Sequence, residues 1–142
     1  MKSGPIILIE DDTDDQEFII DAIQTLGVKN EVKTFDNAPQ AFEFLKSSDE
    51  QPFIIISDVN LPIVNGMQLK QEIQQNEFLK HKAIPFVFLT TSADPQAVKE
   101  AFDLDVQGFF VKENTYEGIR QQLKQILDYW SGSKHPNNSD IY

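Results

Sequence analysis

Six carboxylates lie within eight consecutive positions near the start of the chain, in the segment LIEDDTDDQEF at residues 8–18. Glu10, Asp11 and Asp12 follow directly after an apolar run. Two such charges about 4 Å apart repel each other by about 4 kcal/mol at an effective dielectric constant near 20. Acids that share a crevice therefore need protons or a cation to offset the repulsion. Because Mg²⁺ prefers oxygen ligands and accepts carboxylates, the segment suggests one edge of a magnesium site.

Three other apolar runs also end in groups that can act on a phosphoryl compound. The run FIIIS leads into Asp58, PFVFLT ends at Thr90, and GFFVK ends at Lys112. Mg²⁺, a lysine and a hydroxyl together can neutralise a phosphoryl group during transfer. A carboxylate can itself be the nucleophile and form an acyl phosphate. We therefore predict a Mg²⁺ site at Glu10, Asp11 and Asp58, with Asp58 as the phosphoryl acceptor.

Five short apolar runs are predicted to be the strands that position these groups, at residues 5–10, 31–35, 53–57, 85–90 and 108–112. Between them lie five segments with apolar residues three and four positions apart, the spacing typical of helices. This alternation indicates a parallel sheet covered on both faces. The run EVKTF alternates in polarity and is predicted to be an edge strand, whereas the nearly all-apolar runs are predicted to be buried, central strands. The functional crevice of such a sheet lies beyond the carboxyl ends of its strands.

Helix-start signals account for part of the acidic segment. Asp12, Asp14 and Asp15 are interpreted as the capped start of the first helix, where negative charge is favoured, rather than as metal ligands. Asp94-Pro95 is predicted to begin a later helix. His81 and His135 lack metal-ligand spacing and are not assigned any chemistry.

Length and composition restrict the classes of protein that the chain can represent. Its 142 residues suit one domain at 1–131, followed by a polar tail at 132–142 that we expect to be frayed. The absence of cysteine excludes disulfides, thiolate zinc sites and a cysteine nucleophile. A net charge of -11 argues against direct nucleic-acid binding. No apolar run approaches the ~20 residues of a membrane span and no signal peptide is evident, so we expect a cytoplasmic protein.

Four segments resemble, in order, the motifs of response-regulator receiver domains, the CheY-like domains of two-component signalling. They are LIEDD, SDVNLPIVNG, IPFVFLTTSAD and GFFVKEN, and the resemblance spans residues 5 to about 131. The form NEFLKHKAIPFVFLTTSAD is especially similar to stand-alone regulators that pair with phytochrome-type histidine kinases. The resemblance implies a flavodoxin-like (βα)5 fold, a doubly wound five-stranded parallel sheet in the order 2-1-3-4-5 with helices on both faces.

The resemblance also implies roles on the metal side of the site. Asp58 matches the aspartate that is phosphorylated in the family. Asp11 matches the direct Mg²⁺ ligand, and Glu10 matches the acid that binds the ion mostly through water. Asn60 occupies the position whose backbone carbonyl binds the metal.

On the opposite side of the site, the resemblance implies a switch. Thr90 matches the hydroxyl that closes on the phosphoryl group, and Lys112 matches the lysine that pairs with a phosphate oxygen. Phe109 takes the place of the aromatic residue that turns inward when the threonine moves, although a buried GFFV strand would equally make it a core residue. The family usually has proline after the lysine, in a cis bond, but this chain has Glu113. Because a non-proline cis bond costs about 3–4 kcal/mol, we predict a trans bond.

The function implied is that of a single-domain response regulator rather than an enzyme with external substrates. A sensor histidine kinase would supply the phosphoryl group. The fourth helix, fifth strand and last helix of the family would then present a changed face to an unknown downstream protein or to a second copy in a phosphorylation-dependent homodimer.

Two alternatives remain open for this set of residues. An aspartate-nucleophile phosphatase typically has a second acid two residues after the nucleophile, and Asn60 stands there instead. A phosphorylation-independent scaffold would not need the intact set of Asp11, Asp58, Thr90 and Lys112. Nucleotide binding is disfavoured, because the chain has neither GxGxxG nor GxxxxGK[ST].

Overall fold

The computed structural model describes residues 3–92 and 94–136, and this part of the chain contains one five-stranded parallel sheet and six helices. The strands are β1 (Ile6–Ile9), β2 (Val32–Phe35), β3 (Ile54–Ser57), β4 (Phe86–Thr90) and β5 (Gly108–Val111). The helices are α1 (Thr13–Thr25), α2 (Ala38–Ser47), α3 (Gly66–Gln75), α4 (Glu77–Lys82), α5 (Pro95–Asp103) and α6 (Tyr116–Gly132). The strand order is β2-β1-β3-β4-β5, which confirms the predicted doubly wound fold.

The apolar composition of the strands matches their place in the sheet, with one exception. Every residue of β1, β3 and β4 is buried, and the alternating β2 is an edge strand as predicted. The apolar composition of β5 predicted a buried, central strand, but β5 forms the other edge, as the order implied by the resemblance requires, and its Val111 is 40% exposed. The reason is topological, because the strand order leaves β5 with a neighbour on one side only.

Two apolar cores lie on opposite faces of the sheet. On one face, α1 and α6 pack against alternate strand residues such as Ile6 and Leu8. On the other face, α2, α3, α4 and α5 pack against residues such as Ile7 and Ile9. Since successive strand residues point to opposite faces, an all-apolar strand is the composition that a doubly covered sheet requires. None of the helices in the described ranges is long and apolar enough to cross a bilayer.

The third predicted helix is in fact two helices, α3 and α4, separated at Asn76. The backbone of Asn76 is extended, at φ -92° and ψ 115°, and its side chain accepts a hydrogen bond from the Leu79 N–H at 3.0 Å. Because of this cap a new helix, α4, begins after Asn76, and its buried face does not continue the buried face of α3. As a result Leu79 is buried, while its neighbour Phe78 is 47% exposed.

The end of the described chain contacts the domain although its composition is polar. The helix α6 includes Gly132, and His135 is 1% exposed. The His135 ring stacks on Phe53 with centroids 4.9 Å apart, and its Nε2 is hydrogen-bonded to the Phe53 carbonyl. Within the predicted tail, His135 is therefore buried against the domain, and residues 137–142 lie outside the described residues.

Trp130, the single tryptophan of the sequence, lies at the end of the sheet opposite the acidic residues, so its fluorescence does not report on them directly. Its ring meets that of His135 edge-on at 6.1 Å, and His135 contacts Phe53, which precedes β3. The acids follow the opposite, carboxyl ends of the strands. We therefore expect Mg²⁺ titration to leave tryptophan emission nearly unchanged, with EDTA as the control. Strong quenching would show that α6 is coupled to the acidic site.

Candidate functional site

Three acids meet at the carboxyl ends of the neighbouring strands β1 and β3. The strands β1 and β3 pair in parallel with Ile9 opposite Ser57, so the residues that follow them emerge side by side. One carboxylate oxygen from each of Glu10, Asp11 and Asp58 lies within 4.8 Å of the others. Glu10 is 2% exposed and Asp58 is 9% exposed, whereas Asp11 is open to solvent. The structure thus brings together the three acids that were named from the sequence.

Lys112 reaches this group of acids from the far side, at the end of β5. Its backbone N–H donates to the Thr90 carbonyl at 2.7 Å, which continues the pairing of β4 and β5. Its Nζ donates a hydrogen bond to the Glu10 carboxylate and lies 3.6 Å from Asp58 Oδ2. No cis peptide bond occurs in the described ranges, so the predicted trans bond between Lys112 and Glu113 is confirmed. The trans bond therefore does not prevent the lysine from reaching the acids.

Burial and ion pairing shift the pKa values of Lys112 and Glu10. Burial raises the pKa of Glu10 above its ordinary value, although the hydrogen bond and charge of Lys112 offset part of that rise. Burial also lowers the pKa of Lys112, but the hydrogen bonds from Lys112 to Glu10 and Asp15 and the charges of Glu10 and Asp58 together outweigh it, so this pKa is raised overall. One ammonium therefore faces several crowded carboxylates. Such a set of hard oxygen donors fits a divalent cation such as Mg²⁺.

The turn after Asp58 requires a glycine at position 66. The Asn60 N–H donates to Asp58 Oδ1 at 3.2 Å, and the Gly66 N–H donates to the Val59 carbonyl at 2.8 Å. A Cβ atom on Gly66 would lie 2.3 Å from the Asp58 carbonyl oxygen and 2.7 Å from the Phe88 ring. The absence of a side chain at Gly66 therefore allows α3 to approach the backbone of Asp58.

Thr90 carries a buried hydroxyl that lacks a partner. The residue is 0% exposed, and its Oγ1 is the one buried side-chain N or O atom in the described part of the chain with no hydrogen bond. Leaving such a group unsatisfied costs about 1–3 kcal/mol. Phe109 lies on the neighbouring strand β5, opposite Phe88 of β4. It is half-buried, and its ring centroid is 5.8 Å from that of Phe88. Thr90 is thus a hydrogen-bond donor without an acceptor, at the strand end beside Lys112.

Two features of the site were missed from the sequence. Asp15 Oδ2 lies 3.0 Å from Lys112 Nζ, a contact across 97 positions that no local pattern signals. The cap interpretation itself is confirmed for Asp12, whose Oδ1 accepts from the Asp15 N–H at 3.0 Å. The close approach at Gly66 was also missed, and the only available signal was the Asn-Gly pair after a strand-end acid.

The crowded acids lead to a prediction about metal binding. We expect Mg²⁺ at ten times its dissociation constant to stabilise the fold by about 1.4 kcal/mol and to raise Tm by about 5 °C. Asp11→Asn should remove most of this increase, because the variant loses a charged ligand. Thermal melts in MgCl₂, with NaCl at equal ionic strength as control, measure the effect. An unchanged melt, together with no difference for Asp11→Asn, would show that the metal site is misassigned.

The sequence is similar to a known protein family and to individual characterised proteins. A profile of the response regulator receiver domain matches residues 6–124, which include every site residue described above. Response regulator Rcp1 of Synechocystis is 28% identical over 130 residues, covering 88% of this chain and 87% of Rcp1. The probable methanogenesis regulatory protein FilR2 of Methanothrix harundinacea is 27% identical over 131 residues, covering 89% of this chain and 83% of FilR2.

Solved structures agree with the sequence relatives. The phosphorylated cyanobacterial phytochrome response regulator RcpA superposes with a TM-score of 0.83 at 28% identity, covering 94% of this chain and 96% of RcpA. The Mn²⁺-bound form of response regulator Rcp1 gives a TM-score of 0.79 at 27% identity, covering 94% of this chain and 97% of Rcp1. The similarity therefore extends over the whole sheet and its helices.

Proposed function

The chain belongs to the response regulator receiver domain family, and on that basis we propose that it is a single-domain response regulator phosphorylated on Asp58. Receiver domains are phosphorylated by histidine kinases and signal to downstream partners, so the proposed donor is a sensor histidine kinase. The proposed location of this chain is the cytoplasm. The observation that carries the proposal is the convergence at Asp58 of two further carboxylates and the Lys112 ammonium. The proposed receiver comprises residues 1–131, with 132–142 as a polar extension.

Asp58 is the proposed nucleophile of the transfer. One of its carboxylate oxygens bonds to phosphorus as the bond from phosphorus to the donor's imidazole nitrogen breaks, and the imidazole leaves with the electron pair. Glu10, Asp11 and the Asn60 backbone carbonyl would hold Mg²⁺, with Asp58 facing it. When bound, Mg²⁺ supplies positive charge that neutralises the phosphoryl oxygens. The metals named for relatives, such as Mn²⁺ in Rcp1, support a divalent site here.

Lys112 and Thr90 are the proposed partners of the transferred group. The ammonium lies close enough to Asp58 to pair with a phosphoryl oxygen after a small movement, since the present separation is 3.6 Å. The free hydroxyl of Thr90 would donate a second hydrogen bond. Movement of Thr90 would leave room for the half-buried Phe109 to turn inward.

The output face consists of α5, β5 and α6, which correspond to the fourth helix, fifth strand and last helix expected from the family. The numbering differs by one because the short α4 precedes β4 in this chain. Phe102 on α5 is 51% exposed and Val111 on β5 is 40% exposed, so apolar surface is available for a downstream protein or a second copy. Phosphorylation would change this face through Thr90 and Phe109.

Small-molecule phosphorylation tests the proposal. Acetyl phosphate with Mg²⁺ should add one phosphoryl group to the wild-type protein, as measured by intact-mass spectrometry, and EDTA should prevent the addition. A folded protein that remains unlabelled at saturating Mg²⁺ would favour the phosphorylation-independent scaffold.

The phosphatase alternative has its own test. Asn60 occupies the place of a general acid and cannot donate a proton as a carboxylic acid would. We therefore expect no turnover of a panel of phosphate esters beyond the slow loss of the protein's own phosphoryl group. Multiple turnovers that disappear in Asp58→Asn would instead identify an enzyme.

A further inference from the structure

Lys112 is held by a carboxylate that does not belong to the site named from the sequence. Its Nζ lies 3.0 Å from Asp15 Oδ2 and also donates to the Glu10 carboxylate. The distance to Asp58 Oδ2 is 3.6 Å, which is too long for a hydrogen bond. In this state the ammonium is therefore bonded to Asp15 and Glu10 and is only adjacent to Asp58.

The two anchors of Lys112 differ in how readily they can be exchanged. The Glu10 side chain is 3% exposed, so a Glu10 that lost Lys112 would be left as a buried charge. The Asp15 side chain is 35% exposed, so water can replace the ammonium there. Asp15 is fixed in place by the α1 cap, because its N–H donates to Asp12 Oδ1. The backbone of Asp15 is thus held by the cap of α1, while water can replace its carboxylate as the partner of Lys112.

A phosphoryl group on Asp58 would compete with Asp15 for the same ammonium. Lysine has three N–H donors, and Glu10 and Asp15 use two of them, so a single donor remains for the phosphoryl oxygens unless Asp15 is released. The phosphoryl group is negatively charged, so the Asp15 carboxylate repels it. Asp15 also binds the Lys112 ammonium that would otherwise neutralise the phosphoryl oxygens. Because the Lys112 side chain is 5% exposed, salt screens this competition only weakly.

We propose that Asp15 is a positioning residue that retains Lys112 on the α1 side and thereby lowers the stability of the phosphorylated form. The inference rests on the proposed function, since it concerns the same Asp58 site. Through Asp15, helix α1 would influence the fraction of the protein that is phosphorylated at a given concentration of phosphoryl donor. The opposite role, in which Asp15 orients Lys112 toward the phosphoryl group, predicts the opposite sign.

The test uses Asp15→Asn with Asp14→Asn as its matched control. Both variants remove one carboxylate from the first turn of α1, but among the described residues the ion pairs of Lys112 are with Glu10, Asp15 and Asp58 and not with Asp14. The probe is the beryllium trifluoride anion, a non-covalent mimic of the phosphoryl group, at a Mg²⁺ concentration that saturates each variant. Its dissociation constant is measured by calorimetry on full-length protein, with thermal melts to verify folding.

We expect Asp15→Asn to bind the anion about threefold more tightly than Asp14→Asn, the effect of losing one partly exposed ion pair. Asp15→Ala should show the same gain, and Asp15→Glu, which keeps a carboxylate, should return toward wild type. Affinity equal to or weaker than that of Asp14→Asn in both Asp15 variants would overturn the proposal. Failure of the wild type to bind the anion or to accept a phosphoryl group would instead refute the proposed function.

Discussion

Asp58→Asn is expected to abolish labelling of the protein by acetyl phosphate in the presence of Mg²⁺. The variant retains the shape of the side chain but replaces the carboxylate nucleophile with an amide, which cannot form the acyl phosphate. The other acids of the site have different surroundings, since Glu10 is bonded to Lys112 and Asp11 is open to solvent. Intact-mass spectrometry should show one added phosphoryl group on the wild type and none on the variant.

Asp36→Asn is the matched control for this substitution. Asp36 follows β2 as Asp58 follows β3, but it lies at the edge of the sheet and is exposed. The control variant should be labelled to the same extent as the wild type. Undiminished labelling of Asp58→Asn would mean that another residue accepts the phosphoryl group.

Gly66→Ala is expected to destabilise the fold by about 3 kcal/mol, at the upper end of the range for overpacking. Alanine is the better helix former by about 1 kcal/mol, so propensity alone predicts the opposite sign. The steric effect prevails because the new Cβ would lie 2.3 Å from the Asp58 carbonyl oxygen and 2.7 Å from the Phe88 ring. Relief requires movement of the Asp58 backbone, so the Mg²⁺ response should weaken as well. Thermal and denaturant melts with and without Mg²⁺ measure both effects.

Gly132→Ala separates this contact from the general effect of replacing a helical glycine. Gly132 is the last residue of α6, and a Cβ atom there would meet no atom within 4 Å. This substitution should leave stability unchanged or raise it by up to about 1 kcal/mol. Similar losses for both variants would show that close packing at Asp58 is not the reason for Gly66.

The parts of the structure that could be predicted from the sequence follow from repeated, local rules. Apolar runs flanked by amphipathic segments determine a doubly covered parallel sheet, and parallel strands end at the same edge. The sequence alone therefore places Glu10 and Asp58 together, although 48 positions separate them. The edge position of β2 followed from its alternating polarity in the same way.

The parts that could not be predicted depend on particular tertiary contacts or on local competition. The contact between Asp15 and Lys112 needs the relative placement of α1 and β5, which no spacing in the sequence encodes. Asn76 interrupts a run of helical apolar spacing because its side chain caps a new helix. The same sequence is compatible with one continuous helix, so the spacing alone does not reveal the break. His135 is polar by composition but is buried because its ring stacks on Phe53.

The measurement that tests the central claim most directly is the chemical location of the phosphoryl group. The wild-type protein is labelled with acetyl phosphate and Mg²⁺, treated with hydroxylamine to convert the acyl phosphate to a stable hydroxamate, and digested for peptide mass spectrometry. We predict that the modification lies on Asp58 alone, in the peptide that contains SDVNLPIVNG. Modification of Asp11 or another carboxylate while Asp58 remains unmodified would contradict the account.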